Sequence, residues 1–408
     1  MMNYPVKLDS IFNKLRQNGM KPIIIGGYVR DKILNVNSKD IDIEVYGVDS
    51  LQKLEKILRE FGDVNSVGKS FGVCKLKYEE LDLDFSLPRE DSKISSGHRG
   101  FEIKTDSQLD FTTATSRRDF TMNAIGYDIV EQRLLDPFHG VKDIKHQVIR
   151  AVNLSKFGED PLRVLRAVQF ASRFHFKLDD ALFEKCKNMV ASQALEELPK
   201  ERIFGELKKL LLKSPKPSDG ILLLKAFHST LYFDAFEEML DALDYFAGKN
   251  IKDSDIKLTL MLVLLSYKLQ EEQSSTFLSL LTEKKELHKE VLSLLKNKET
   301  LNIYKYNDYD LYRLATHVNI KKFLYMIDAL TLGKEAARIK IIEQRAQKLN
   351  ILHTKAEALI QGRDLIKLGY KPSPRFSTLL DKVYDAQLRC EFTTYTEAVE
   401  WIKTHLRR

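Results

Sequence analysis

The sequence is poor in the features that mark secreted, zinc-binding and membrane-spanning proteins. Its 408 residues include only three cysteines, which lie far apart at Cys74, Cys186 and Cys390 and form no Cys-X-X-Cys pair. This spacing excludes a disulfide framework and is typical of a chain kept in a reducing compartment. No apolar run approaches the roughly 18 residues of a membrane span, and the first residues contain no signal-peptide core. We therefore expect a cytoplasmic protein without a membrane partner.

Apolar and basic residues are plentiful by contrast. The apolar fraction is 43%, which is ample for the roughly two to four domains expected of this length. The net charge of +7 suits a polyanionic partner such as nucleic acid, although a solvated lysine-rich surface explains it equally well. Strand-like runs and helices share residues 1–150, whereas helical periodicity dominates after Arg150.

The segment 23–47, IIIGGYVRDKILNVNSKDIDIEVYG, joins a glycine turn to an acidic strand. Gly26 and Gly27 end a buried strand and start a helix, so backbone N–H groups there can approach a phosphate closely. Asp40 and Asp42 face one side of the next strand, because side chains alternate along a strand. The two carboxylates repel each other, and Mg²⁺ removes that repulsion while binding substrate phosphates. An isolated Asp-X-Asp reads as a solvent-facing edge strand; the adjoining glycine turn favours the metal site.

Two further groups complete this predicted site. Arg30 lies one turn into the helix and can reach a triphosphate, with Asp31 beside it as a local ion-pair partner. A third carboxylate is expected from LDLDFSL, where Asp82 and Asp84 share one strand face, and Asp84 is the predicted catalytic member. A phosphate-binding turn beside a carboxylate pair that holds Mg²⁺ predicts nucleotidyl transfer.

Five motifs in order resemble one enzyme family. The segment 23–47 resembles the signature of polymerase-β-like nucleotidyltransferases and, more narrowly, of class II tRNA nucleotidyltransferases (CCA-adding enzymes) and the related bacterial poly(A) polymerases. The other four are RRDFTMNAIGYD (117–128), LLDPFHGVKDI (134–144), FGEDPLRVLRAVQFASRF (157–174) and ELPKERIFGELKKLL (197–211). The resemblance implies an α+β fold with a mixed-sheet nucleotidyltransferase head and an all-α remainder. The expected segments are the catalytic head 1–150, a base-recognising neck 151–215, a body 216–350 and a tRNA-binding tail 351–408.

The motif RRDFTMNA supplies the predicted contacts to the nucleotide sugar and phosphates. Arginine offers a planar donor fork suited to phosphate, and the family resemblance assigns Arg118 to nucleotide binding. Asp119 and Asn123 can each hydrogen-bond a ribose hydroxyl, and the resemblance assigns Asp119 to the sugar. Without the family, the same residues read as a helix start with a local ion pair.

The motif EDPLRVLRAVQF supplies the predicted base recognition. Asp160, Arg163 and Arg166 recur every third residue and are expected on one helical stripe. By resemblance, Asp160 accepts the amino group of cytosine or adenine and Arg163 serves the ring nitrogen, a pairing that uracil and guanine cannot match. Relatives often carry another arginine where this chain has Gln169, which leaves that contact open, and Arg173 can compensate.

The remaining predictions concern partners and alternatives. Residues 88–110 read as a long loop that resembles the flexible loop of CCA-adding enzymes, from which Arg89, His98 and Arg99 can reach the substrate. Arg202 and Glu206 read as an i, i+4 ion pair. The resemblance implies ATP and CTP as substrates and the tRNA 3′ end and elbow as partners, and it leaves the oligomeric state open. Poly(A) polymerase, partial CC or A addition, and an inactive RNA-binding relative remain the alternatives.

Overall fold

The computed structural model of the protein describes residues 2–68, 72–93, 101–106, 108–228, 236–298, 302–372 and 376–406. The chain divides into two compact units, Met1–Phe233 and Asp234–Arg408. The first unit combines sheets with helices and the second is helical throughout its described residues, which confirms the predicted α+β class.

A seven-stranded mixed sheet organises the first unit. Its strand order is β3-β4-β5-β2-β1-β8-β9, with β2 and β5 parallel and the other neighbours antiparallel. Two short two-stranded sheets, β6 with β7 and β10 with β11, complete the strands. The bounds are β1 Lys21–Ile25, β2 Asp40–Tyr46, β3 Val64–Gly68, β4 Val73–Tyr78, β5 Leu81–Ser86, β6 Arg89–Lys93, β7 Phe101–Thr105, β8 Gly126–Asp128, β9 Arg133–Leu135, β10 Val148–Ile149 and β11 Lys177–Leu178.

Helices flank this sheet and continue beyond it to the end of the first unit. Several start at side-chain caps, such as Ser50, which accepts a hydrogen bond from the Lys53 N–H, and Asp179, which accepts one from Leu182. The bounds are α1 Asp9–Gln17, α2 Gly27–Ile33, α3 Leu51–Leu58, α4 Phe111–Thr115, α5 Gly140–Lys145, α6 Leu154–Phe157, α7 Leu162–Phe174, α8 Asp180–Ala191, α9 Lys200–Lys213 and α10 Pro217–Ala226, with 3-10 turns at Val6–Leu8, Thr121–Asn123 and Ala194–Glu197.

The sequence predicts the elements around the acidic strand correctly, because their signals are local. Gly19 follows α1 with a φ of 75°, the left-handed conformation that glycine adopts most easily at a helix end. Ile41 and Ile43 of β2 are 1% and 0% exposed, whereas Asp40 and Asp42, which alternate with them, are exposed. The alternation that predicted a strand with one acidic face is therefore present.

Two fold predictions are wrong in part. The segment 88–110 is not a loop throughout, because β6 and β7 pair antiparallel from Arg89–Thr105 to Lys93–Phe101. The alternating sequence FEIKT of β7 favours a strand, but the polar sequence of β6 has low strand propensity and does not indicate that β6 pairs with it. Residues 94–100 and 107, including His98 and Arg99, lie outside the described residues. The remainder after Arg150 is also not purely helical, since β11 pairs with β10.

The second unit is built from helices around an apolar core. In the helix Ser254–Ser266, every residue from Leu258 to Ser266 is buried, as expected of a helix that is apolar on all sides. A separate cluster near the end of the chain includes Leu365, Val383 and Ile402. The helices are Leu240–Ala247, Ser254–Ser266, Glu271–Leu281, Lys285–Lys296, Asp308–Ala315, Ile320–Leu330, Ala336–Lys348, Gly362–Lys367, Phe376–Leu388 and Tyr395–His405, with a 3-10 turn at Ile303–Lys305. Among the described residues, none of the helices combines the length and the hydropathy needed to cross a bilayer.

Candidate active site

An open pocket of about 1080 Å³ lies within the first unit and brings together most of the predicted site residues. The strands β2 and β5 contribute its carboxylates, and α2 and α7 contribute arginines. Three predicted residues, Gly26, Asp160 and Arg163, are not among those that line it. The predicted residues in the lining are Gly27, Arg30, Asp40, Asp42, Asp84, Arg118, Asp119, Asn123 and Arg166.

Strand register places the aspartates in two rows across the sheet. In the parallel pair of β2 and β5, Asp40 lies opposite Asp82 and Asp42 lies opposite Asp84. Because β2 is the fourth of seven strands, Asp40 and Asp42 do not belong to an edge strand, and that alternative is excluded. The Lys75 Nζ lies 2.7 Å from the Asp84 Oδ2, so the second row ends in an ion pair.

The environment of Asp42 disfavours its negative charge. Its carboxylate is exposed to the pocket, but the protein atoms around it reduce its solvation, and this desolvation raises its pKa. The positive charge of Arg118 opposes the rise, whereas the carboxylates of Asp84 and Asp40 add to it. Bringing a cation to this face therefore relieves an unfavourable concentration of negative charge.

The donor set fits a divalent cation that a nucleotide helps to hold. No three carboxylate, imidazole or thiolate groups of the described residues are arranged as a complete metal site. Asp40 and Asp42 nevertheless present two exposed carboxylates on one strand face, and Mg²⁺ commonly combines one or two such ligands with substrate phosphates. The Oδ2 of Asp84 accepts a hydrogen bond from Lys75, so only part of this carboxylate is engaged by protein.

The glycine turn is shaped by the arginine packed on it. Gly26 has a φ of 71°, and a Cβ at this position would lie 2.6 Å from the Arg118 Nη1. Arg118 in turn donates a hydrogen bond from Nη1 to the Asn123 carbonyl oxygen at 3.1 Å. A Cβ on Gly27 would meet only the Arg30 Nη2, at 3.6 Å, which is an ordinary contact. Of the two glycines, only Gly26 is therefore required by its φ and by the packing.

Replacing Gly26 with alanine is expected to lower both stability and transfer. The unfavourable φ costs about 1–3 kcal/mol, and moving Arg118 by the ångström needed to clear the methyl group is expected to reduce turnover about tenfold to a hundredfold. The measurements are the thermal midpoint and the rate of nucleotide incorporation. Gly27→Ala is the matched control and should keep the thermal midpoint of the original protein; equal destabilisation by both substitutions would contradict the assignment.

The residues predicted to bind ribose form a buried network. Asp119 accepts hydrogen bonds from the Arg166 Nε at 2.7 Å and from the Asn123 Nδ2 at 3.0 Å. Asn123 accepts one from the Arg30 Nη1 at 2.6 Å, and Arg30 also donates to the Asp31 Oδ1 at 2.6 Å. Arg30, predicted to reach a triphosphate, is only 4% exposed and its guanidinium packs on two phenylalanine rings. The network fixes the position of Arg166 at the pocket wall.

The ion pair of Asp119 and Arg166 makes stability depend on pH. Burial alone would raise the pKa of Asp119, but the Arg166 charge and the hydrogen bonds from Asn123 and Arg166 hold it below its usual value. A depressed pKa contributes stability that is present above the unfolded value near 4 and is lost as pH falls through the folded value. The ion pair of Asp119 and Arg166 therefore stabilises the folded protein at neutral pH and stabilises it less at acidic pH.

The Asp119→Asn protein is expected to be less stable than the original by about 1–3 kcal/mol at pH 7, because a buried arginine contact loses its charged partner. The difference should shrink as the pH falls below about 4, because the unfolded chain of the original protein then takes up a proton that the folded protein, with its lowered pKa, does not yet bind. Urea unfolding at pH 7 and pH 3 measures both values. A difference that is unchanged at pH 3 would show that the charge is not the cause.

The predicted base-recognising stripe is wrong in one respect. The helix α7 begins at Leu162, so Asp160 precedes it and does not share its stripe with Arg166. The residue before a proline is disfavoured in the helical conformation, and Pro161 imposes this on Asp160. Instead the Asp160 Oδ1 accepts a hydrogen bond from the Leu162 N–H at 3.1 Å, as an Asx turn at the helix start.

The ion pairs and hydrogen bonds near Asp160 also differ from the prediction. Arg202 lies 3.4 Å from the Asp160 Oδ2, and Glu206 pairs with Lys209 at 2.7 Å, so the predicted pair of Arg202 and Glu206 is wrong. Arg163 donates to the backbone carbonyl oxygens of Lys156 at 2.8 Å and Arg117 at 2.7 Å. In this conformation Asp160 and Arg163 are engaged by protein groups.

Several lining residues were not identified from the sequence. Glu44 does not line the pocket, but it follows Asp42 on the same face of β2, is fully buried and lies 3.4 Å from the Arg117 Nη2. The sequence did contain a pattern that could have identified the lysines of β4. Lys-X-Lys and Asp-X-Asp flank a short turn, and a hairpin at that turn pairs Lys75 with Asp84. The lining residues without an earlier assignment include Lys39, Asp63, Asn65, Lys75, Lys77, Lys209 and Lys213.

The protein families that match the chain fall on either side of the boundary between its two compact units. Residues 23–150 match the family described as poly A polymerase head domain, and 175–233 match a probable RNA and SrmB-binding site of polymerase A. Residues 252–402 match the family described as tRNA nucleotidyltransferase domain 2, putative.

Relatives and solved structures resemble the chain over nearly its whole length. It is 27% identical over 411 residues to the CCA-adding enzyme of Staphylococcus saprophyticus, covering 97% of each chain. It is 28% identical over 398 residues to that of Lactococcus lactis, covering 95% of this chain and 92% of the other. The Bacillus stearothermophilus CCA-adding enzyme in complex with CTP has the same fold, with a TM-score of 0.76, 22% identity and 99% of each chain covered. Together with the site described above, these matches show that the chain is similar to tRNA nucleotidyltransferases and poly(A) polymerases in three successive segments, 23–150, 175–233 and 252–402.

Proposed function

We propose that this protein adds the 3′-terminal CCA sequence to tRNA, or repairs it, from CTP and ATP without a nucleic-acid template. The observation that carries the proposal is similarity to CCA-adding enzymes from end to end, including the residues 252–402 that match a tRNA nucleotidyltransferase domain. The acidic pocket in the first unit supplies a site where nucleotidyl transfer can take place.

In this mechanism Asp40 and Asp42 would hold the divalent cation, for which Mg²⁺ is the best-suited ion, and Asp84 would join them. When bound, the cation would activate the attacking 3′ hydroxyl and offset the negative charge of the departing pyrophosphate. Hard carboxylate oxygens on a shared strand face are the feature of this chain that supports the assignment.

The arginines of the pocket would bind and orient the nucleotide. Arg118 lies against Gly26 at the glycine turn, where its guanidinium would contact the triphosphate. Asp119 and Asn123 would position the ribose, directly or through the Arg166 side chain that Asp119 holds. Holding the sugar and the phosphates in one orientation is a large part of what a nucleotidyltransferase contributes to rate.

The base would be chosen by Asp160 and Arg163. Both side chains would have to exchange their present partners, Arg202 and two backbone carbonyl oxygens, for the Watson–Crick edge of the nucleotide. Cytosine and adenine each offer an amino donor beside a ring-nitrogen acceptor, which matches one carboxylate and one guanidinium. Uracil and guanine present the reverse order, so a side-chain pair would select C and A.

The four segments predicted from the sequence would divide the work. The head 1–150 would carry out transfer and the neck 151–215 would recognise the base. The body 216–350 and tail 351–408 would hold the tRNA elbow through shape and phosphate contacts, as structured RNA requires. The match of residues 252–402 to a tRNA nucleotidyltransferase domain supports the last assignment.

The deciding experiment supplies tRNA that lacks its CCA end with CTP, ATP, UTP and GTP, singly and together, and reads product length on a gel. The proposal expects two additions with CTP alone and three with CTP and ATP. A long adenylate tail from ATP alone would indicate a poly(A) polymerase, and arrest after CC or addition of A only would indicate a partial enzyme. Tight tRNA binding without extension would indicate an inactive RNA-binding relative.

A further inference from the structure

Gln169 is a buried amide in the pocket wall with an unused donor. It lies on α7, is 2% exposed and lines the pocket. Its Nε2 has no hydrogen-bond partner among the described residues. Among the pocket-lining side chains, only one other buried nitrogen shares this state in the described part of the chain, the Arg118 Nε. A buried N–H group without a partner is unfavourable, and a bound ligand that accepted its hydrogen bond would recover that free energy.

The surroundings of Gln169 favour an uncharged part of the nucleotide. Gln169 lies about one helical turn from both Arg166 and Arg173. Arg166 is paired with Asp119, and the Arg173 Nη2 lies 3.8 Å from Asp31. Each of these two arginines faces a carboxylate that offsets part of its charge, and the amide between them is itself neutral, so an uncharged acceptor suits this position.

We propose that Gln169 is a specificity-determining residue, whose Nε2 donates a hydrogen bond to an oxygen of the base or of the ribose of the incoming nucleotide. The inference rests on the proposed nucleotidyl transfer and adds a contact to it. The amide carries no charge, so it favours a neutral acceptor over a phosphate, and its burial makes an unmatched nucleotide costly.

The test compares Gln169→Met, which has similar length and no donor, with the original protein. The KM for CTP with tRNA lacking CCA should rise about tenfold, with kcat within about twofold, because a ground-state contact is lost. The ligand-free thermal midpoint should rise by about 2–4 °C, since the buried unpaired N–H is removed. The increase of that midpoint on adding CTP should shrink. Gln17→Met, at an exposed position of α1, is the matched control and should change none of these.

The two effects separate a ligand contact from a structural role. A ligand-free thermal midpoint that falls would overturn the proposal, because Gln169 would then be a buried amide that serves folding. An unchanged KM for CTP would overturn it as well. If Gln169→Met does not fold, Gln169→Asn tests the same point, since its amide is one methylene short of the pocket and should show the same rise in KM.

Nucleotide analogues identify the acceptor. The increase of the thermal midpoint on adding CTP, 2′-deoxy-CTP or 2-thio-CTP is measured for the original protein and for Gln169→Met. The analogue that lacks the acceptor should raise the midpoint of the original protein less than CTP does. In Gln169→Met, the same analogue and CTP should raise the midpoint equally. Equal additional losses in both proteins would overturn the contact. Because this comparison needs no tRNA, it still judges Gln169 if the original protein fails to extend tRNA and the proposed function falls.

Discussion

The Asp40→Ala protein is expected to lose at least about a thousandfold of its nucleotide transfer while it still binds tRNA. Asp40 and Asp42 are the two exposed carboxylates on one face of β2, and the substitution leaves Asp42 as the only exposed carboxylate of that strand. A cation stabilises the charge that develops in the transition state by several kcal/mol, and each 1.4 kcal/mol corresponds to about tenfold in rate. Removing a repelling charge beside Asp42 should not lower stability.

Single-turnover incorporation of CMP into tRNA lacking CCA measures the loss, and the thermal midpoint and tRNA affinity show whether the fold persists. Asp49→Ala is the matched control, because the Asp49 side chain is 83% exposed and lies shortly after the same strand. It should keep full activity. Substantial residual transfer by a folded Asp40→Ala protein would refute the metal assignment.

The second large effect is expected on base choice. The Arg163→Ala and Asp160→Ala proteins should incorporate C and A more slowly and reject UTP less strictly. A mismatched base leaves two buried polar groups unpaired, at about 1–3 kcal/mol each, which corresponds to roughly tenfold to several-thousandfold discrimination. Either substitution removes one of the two matched groups and should remove a large part of that factor.

Single-turnover incorporation of each of the four nucleotides is measured for both proteins. Arg163→Ala also removes hydrogen bonds to the carbonyl oxygens of Lys156 and Arg117, so its thermal midpoint is measured in parallel. Arg133→Ala is the control, because the Arg133 side chain is 61% exposed and pairs only locally with Glu131. If both substituted proteins rejected UTP and GTP as strictly as the original, the base would have to be chosen elsewhere, with Arg166 the next candidate.

Features that depend on neighbours in sequence were predicted well. The two halves of the candidate site, a glycine turn and an alternating acidic strand, are written within residues 23–47. Their placement needs only the period of a strand and the conformational freedom of glycine, and the φ of Gly26 and the burial of Ile41 and Ile43 agree with it. The shared strand face of Asp82 and Asp84 was predicted from a second alternating segment, and the strand register, which was not predicted, places Asp84 opposite Asp42.

Features that depend on distant or competing interactions were not predicted. The sequence spacing of Asp160 and Arg163 suggested one stripe, but Pro161 removes Asp160 from the helix. The spacing of Arg202 and Glu206 suggested a pair along one helix, but Arg202 lies instead against Asp160, which is 42 residues away in the sequence. Whether the Nε2 of Gln169 has a hydrogen-bond partner depends on its tertiary surroundings, so no local sequence pattern could predict that it lacks one among the described residues.

Because β2 is the middle strand of its sheet, Asp42 lies between Ile25 of β1 and Asp84 of β5 in the ladder of main-chain hydrogen bonds. Asp40 is paired with Asp82 of β5, and Asp42 is paired on both sides, so the extended backbone sets the interval from Asp40 to Asp42 at about 6.6–6.8 Å along the strand. The main chain thus fixes the spacing of the two carboxylate-bearing residues along the strand. Substitutions among the surrounding side chains can change which nucleotide is bound while this interval stays constant. Nucleotide selectivity can therefore evolve without a change in the groups that carry out transfer.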